Sequence, residues 1–161
     1  MQTLEVAPSL EALFRELVHG PPAAGAFMLN PGDAGLLNSL GRLSASAASV
    51  TPNGGACIAA HVEHLRYGLS LMNRWATGEN PFADANWAAS WEMTSVTEVE
   101  WLQLRRALRD QAERWLDTLG TPRSVVLVEL NGMIASIVHL AYHTGAMRQI
   151  DRILRGPAAA D

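Results

Sequence analysis

Along most of the chain apolar residues recur at intervals of three and four, with Gly and Pro between the runs, a pattern of amphipathic helices. Leu10, Leu13, Phe14 and Leu17 line a first short helix, Leu10 to about Val18, with Ser9 as its N-cap. Gly20-Pro21-Pro22 ends it, and residues 21–31 read as loop or a short extended piece. Asn30-Pro31-Gly32-Asp33 is turn chemistry, with Asp33 placed to cap a second helix from about Ala34 to Ala48, lined by Leu36, Leu37, Leu40 and Leu43. The next break is Thr51-Pro52-Asn53-Gly54-Gly55.

A third helix, about Ala56 to Thr77, sets Glu63, Arg66, Ser70, Asn73 and Arg74 in one polar arc and Ile58, His61, Val62, Leu65, Leu69 and Met72 opposite. Gly78 to Pro81 stops it. Residues 79–95 make a connection long enough to be functional or packed, and Phe82, Trp87 and Trp91 predict a packed flap. Thr94-Ser95 and then Thr97 offer caps for a fourth helix, about Thr97 to Leu119, with Trp101, Leu104, Leu108, Ala112, Trp115 and Leu119 as its stripe and Gly120 and Pro122 as its end. The last helix starts between Arg123 and Asn131 and runs to about Leu154, before Gly156-Pro157. It is apolar nearly all round as far as Met147, so a central position is expected. Ser124 to Val128 is the one β-like run, too short for periodicity to decide. The tail from Ala158 to Asp161 is expected to fray. The prediction is all-α: a four-helix bundle with an additional short N-terminal helix and a long Trp-rich connection, in a single domain over residues 1–161.

Composition narrows the function classes. The chain has 161 residues, 48% of them apolar, which is enough for a sizeable core in one domain. A net charge of −4 without a basic run argues against a nucleic-acid surface. No apolar run is long enough for a membrane span, and the segment from Met1 to Pro8 does not read as a signal peptide. Cys57 is the single cysteine, so no internal disulfide forms and a cytoplasmic setting is the default.

The candidate chemistry lies in the histidines. His139 and His143 are four residues apart on the last helix, just over one turn, so both imidazoles leave the same face. Apolar residues elsewhere on that stripe turn it inward. Buried imidazoles need hydrogen-bond partners or a metal, and core histidines satisfied by carbonyls or hydroxyls are the plainer alternative. His61 and His64 on the third helix can supply a third nitrogen across the bundle. Three protein ligands with open positions is the arrangement of catalytic rather than structural metal sites. The helical wheel places His61 near the middle of the apolar face and His64 toward one edge, on a line with Cys57, Gly68, Leu71 and Trp75, which slightly favours His61. His19, beside Gly20, reads as a partner for a helix C-terminus.

The segments from Cys57 to Leu69 and from Val138 to Ile150 resemble the DinB-like superfamily, which includes the YfiT-like metal-dependent hydrolases. The resemblance spans about residues 34–154 and leaves the N-terminal 30 residues and the 79–95 loop unmatched. It implies a four-helix bundle, often a homodimer. It also implies a metal site of one histidine from an earlier helix and an HxxxH pair from a later one. Ile58, five residues and then His64-Leu65 fits the earlier motif, and His139 and His143 fit the later pair. The resemblance therefore implies His64, His139 and His143 as ligands, with His61 in support or as the alternate. The ion expected is zinc, nickel, iron or manganese.

An ion held by three neutral imidazoles keeps its charge and can activate a bound water or thiol. Relatives include thiol-dependent transferases, so a low-molecular-weight thiol or another small molecule is the expected partner, and hydrolysis is the other activity implied. Neither nucleic acid nor membrane is expected as a partner. A non-catalytic dimeric bundle with a structural, regulatory or vestigial histidine site is the competing reading. Glu63, Glu92 and Asp33 read as solvated or structural rather than as general bases. Tyr142 points away from the pair and reads as packing or a supporting donor. Cys57 near a helix N-terminus can be a nucleophile, although a lone cysteine is more commonly a small buried hydrophobe. Trp75, Trp87 and Trp91 can wall a pocket or serve packing. Arg148, Arg152 and Arg155 suit a helix C-terminus or an anionic substrate.

Overall fold

A computed structural model describes residues 2–51 and 54–158. Pro52 and Asn53 of the predicted break, and Ala159 to Asp161 of the tail, lie outside the described residues. Among those described there are six α-helices and no strand: α1 (Ala7–His19), α2 (Gly35–Leu40), α3 (Ala45–Ala48), α4 (Ile58–Ala76), α5 (Glu98–Gly120) and α6 (Leu127–Ile150). The β-like run is no strand. It contributes one bridge, Ser124 to Gln2, and Val128 is already helical.

The four long helices are α1, α4, α5 and α6. The expected helix over 34–48 is broken into the short α2 and α3. Tertiary bonds break it. The Trp101 indole donates to the Leu43 carbonyl at 2.9 Å, and the Ala45 amide donates to Glu98 at 2.9 Å. Ser44 then turns extended and caps α3 through the Ala47 amide. Leu36, Leu37, Leu40 and Leu43 are buried all the same. Asp33 is not the residue at the N-cap, which is Ala34, but its side chain accepts from the Gly35 amide at 2.9 Å. Gly20 (φ 96°) and Gly35 (φ 71°) sit where two backbones pass closely: a side chain on Gly20 would meet the Asp33 carbonyl, and one on Gly35 the backbone of His19 and Gly20.

α1 begins two residues before Ser9, with Pro8 in its first turn, where a missing N–H costs nothing. Its Glu16, almost wholly buried, accepts from the Phe27, Met28 and Leu29 amides and so fixes the loop before α2. Burial raises the pKa of that carboxyl, and the three amide bonds outweigh it, leaving the pKa lowered. α5 starts at a capping box, with Thr97 and Glu100 bonded reciprocally. α4 and α5 form the most extensive pairing, and α1 packs on α5. Phe14, Trp101, Leu108, Trp115 and Leu119 are fully buried between them, each contributing about 1.5–3 kcal/mol.

α6 corrects a sequence expectation. It buries one face, Met133, Ile137, Leu140, His143 and Met147, against α4 and α1. The opposite face is exposed: Leu127, Ile134, Val138 and Tyr142 are 68%, 46%, 62% and 69% accessible. The α-helix also ends at Ile150, where Asp151 caps a separate turn, Arg152–Leu154. No helix among the described residues is long and apolar enough to cross a membrane.

Candidate metal centre

α4 and α6 bring their histidines together beside Gly68, where a Cβ would lie 3.8 Å from His139 Cε1, at ordinary contact distance. His64 and His143 are buried and His139 is half-buried. Each offers one ring nitrogen, and the three lie within 4.8 Å of one another. His139 Nε2 is 3.1 Å from His64 Nε2 and 2.9 Å from His143 Nε2.

The remaining nitrogens set the tautomers. Ser90 Oγ donates to the Trp87 carbonyl at 2.7 Å, so it accepts from His64 Nδ1–H at 2.8 Å. A neutral His64 then presents the lone pair of Nε2 to the cluster. His143 Nδ1 meets His61 Nδ1 at 2.9 Å, which leaves His143 Nε2 facing His139. One N–H on His139 cannot serve both neighbours well, whereas a cation would satisfy all three lone pairs at once. Two nitrogens each about 2.0–2.1 Å from a shared ion stand about 2.8–3.4 Å apart at angles near 90–110°. The two spacings from His139, 3.1 and 2.9 Å, fall in that range and the third pair lies within 4.8 Å, so the residues fit a metal ion.

All four imidazoles are held toward their neutral, ligating form. Burial first, and then charge on the neighbouring histidines, lowers the pKa of His64 to about 4 and of His143 to about 3. His61 and His139 are lowered by burial alone. In the unfolded chain these imidazoles protonate near pH 6.5. Between about 6.5 and 4 the unfolded chain therefore binds more protons, and stability falls as pH falls. Metal-free protein should accordingly show a falling Tm from pH 7 to pH 5, above the range of most carboxylates. A Tm that is level or rises on acidification would contradict this.

The other residues singled out in the sequence separate clearly. Trp91 stacks on His64 with centroids 4.2 Å apart, and Trp87 leans on it at 5.6 Å. Trp75 lies further along α4, edge-on to Phe82. His61 bears on His143 and on the Trp91 ring, the position of a support. Tyr142 is on the exposed face of α6, with its ring edge-to-face with His143. Cys57, buried, lies about two turns before His64, and its thiol donates to the Met93 carbonyl. Arg148 binds both oxygens of buried Asp33, at 2.8 and 3.0 Å, which opposes a role in receiving substrate. Arg155 returns to the Arg148 carbonyl. His19 pairs with Glu113 rather than with a helix end. Glu63 is paired with Arg66, and Glu92 is exposed.

Sequence reasoning passed over Ser90 and Tyr67. Ser90 orients His64, and Tyr67 anchors the loop by accepting from the Asn86 amide at 2.8 Å. No spacing rule points to either, because a loop carries the serine back over α4. Comparison with family models, with curated proteins and with solved structures finds no match to this chain.

Proposed function

We propose that the chain is a divalent-metal-binding helical protein, with His64, His139 and His143 as ligands, that carries out a metal-dependent transferase or hydrolase reaction at the open positions of its ion. The convergence of three ring nitrogens carries this reading. The tautomer of His64, set by Ser90, supports it, as ligating histidines typically donate their other N–H to a fixed acceptor. On this reading α1, α4, α5 and α6 are the helices of a DinB-like four-helix bundle. The bound ion, zinc, nickel, iron or manganese, would supply Lewis acidity and an activated water or thiolate. The chain's own part is to hold three neutral imidazoles and to screen them beneath Trp87 and Trp91.

The decisive experiment is metal analysis of untagged protein after incubation with each of these ions and desalting. One equivalent is expected. Less than a tenth of an equivalent for every ion would leave the histidines as core groups. Turnover of electrophiles with low-molecular-weight thiols then distinguishes transferase from hydrolase. The non-catalytic alternative draws on one observation: the acidic side chains singled out, Glu63, Glu92 and Asp33, are paired or exposed, which leaves none as a general base.

The exposed apolar face of α6 supports a homodimer. Leu127, Ile134, Val138 and Tyr142 follow one another at helical spacing, and two copies could bury them together. Light scattering should give twice the chain mass, and Val138→Glu should return the monomer. A wild-type monomer at micromolar concentration would remove this part of the proposal.

A further inference from the structure

We infer that the cavity beside the histidines is a binding site for a small, uncharged, largely apolar molecule whose polar head meets the metal centre. The inference rests on the metal reading for the head but not for the apolar body. The cavity, about 550 Å³, lies between α4, α6 and the 79–91 connection. That size is within the usual range for small-molecule sites. Leu65, Leu69, Met72 and Trp75 form its α4 wall, and Phe82 and Trp87 close it from the connection side.

No Asp, Glu, Lys or Arg side chain lines it. A charged ligand body would therefore lose its hydration without gaining a counter-ion. Its polar lining groups are Asn131, Ser136 and His139. Ser136 is already engaged, accepting from the Trp115 indole and donating to the Met133 carbonyl. Asn131 and His139 remain to meet polar atoms of a ligand. His139 is also a member of the histidine cluster, so one imidazole serves as wall for both. A ligand filling the cavity would thus end at the nitrogens of the metal centre.

Gly132 keeps this geometry, with Gly68 facing the same aromatic wall. A Cβ on Gly132 would strike the Trp75 indole, and Gly68 brings backbone within ordinary contact reach of the Trp87 ring. The aromatic walls therefore stand directly against backbone, which leaves the space between the helices to a ligand.

Two probes test the inference. N-phenyl-1-naphthylamine should bind the metal-free protein at one equivalent. Straight-chain alkyl hydroxamates should bind the zinc-loaded protein with affinity rising about fourfold per methylene until the cavity is full. Ala135→Trp at the mouth and Met72→Phe on the α4 wall should each weaken both probes at least tenfold and leave zinc uptake intact. Hydroxamate affinity that does not change with chain length, or naphthylamine binding unaltered in both folded variants, overturns the inference. Naphthylamine binding that responds to the variants in a protein taking up no zinc upholds the cavity and overturns the metal reading alone.

Discussion

His139→Ala is expected to abolish stoichiometric metal uptake, because His139 Nε2 is the nitrogen that both other proposed ligands approach, at 3.1 and 2.9 Å. His64→Ala and His143→Ala should do the same. His61→Ala and Ser90→Ala should behave differently. Both residues touch a ligand through its far nitrogen, at 2.9 and 2.8 Å, and hold its ring. Loss of such a partner costs about 10–100-fold in metal affinity while uptake persists. Competition with a chromophoric chelator would measure all five. Equal losses for His61→Ala and His139→Ala would make His61 a ligand and require a different geometry.

The second large effect concerns stability. Arg148→Ala should destabilise the fold by about 3–5 kcal/mol, the usual consequence of leaving a buried charge without its partner. The Asp33 side chain is 1% exposed, and Arg148 binds both of its oxygens. The pair fastens the end of α6 to the turn before α2, and Gly156 passes so close to Asp33 that a side chain there would collide with it. Urea denaturation would give the value. The double change Asp33→Asn with Arg148→Met should recover part of the loss, since no charge is then stranded. A single-mutant effect below about 1 kcal/mol would place the pair with ordinary surface ion pairs.

The sequence predicts best where local signals suffice. Thr97 and Glu100 specify the start of α5, and the Trp101-to-Leu119 stripe is its buried face. α4 lies within a residue or two of its predicted limits. The 34–48 segment shows where such signals fail. Nothing local in it reports that Trp101 and Glu98, more than fifty residues away, take the Leu43 carbonyl and the Ala45 amide. α6 shows a second limit: apolarity on every side carries no periodicity and cannot say which face is covered.

The same reasoning applies to the site. The HxxxH spacing places His139 and His143 together on one face without further information. The choice between His61 and His64 is different. A wheel weighted by large apolar side chains favours His61, but α6 approaches α4 at its small-residue edge, beside Gly68, which is the edge that carries His64. The resemblance to the DinB-like pattern selects the histidine that the structure groups with the pair. Ser90 was out of reach, since its role depends on the path of a loop.

The stacking of Trp91 on His64, at 4.2 Å and 24° between planes, has an optical consequence. An indole in face contact with an imidazole changes its emission when that imidazole gains a proton or a paramagnetic ion. Trp101 and Trp115 are sealed in the core, away from solvent. The chain thus carries its own dye at the rim of the histidine cluster, and occupancy of that cluster is written in the colour and brightness of its natural light.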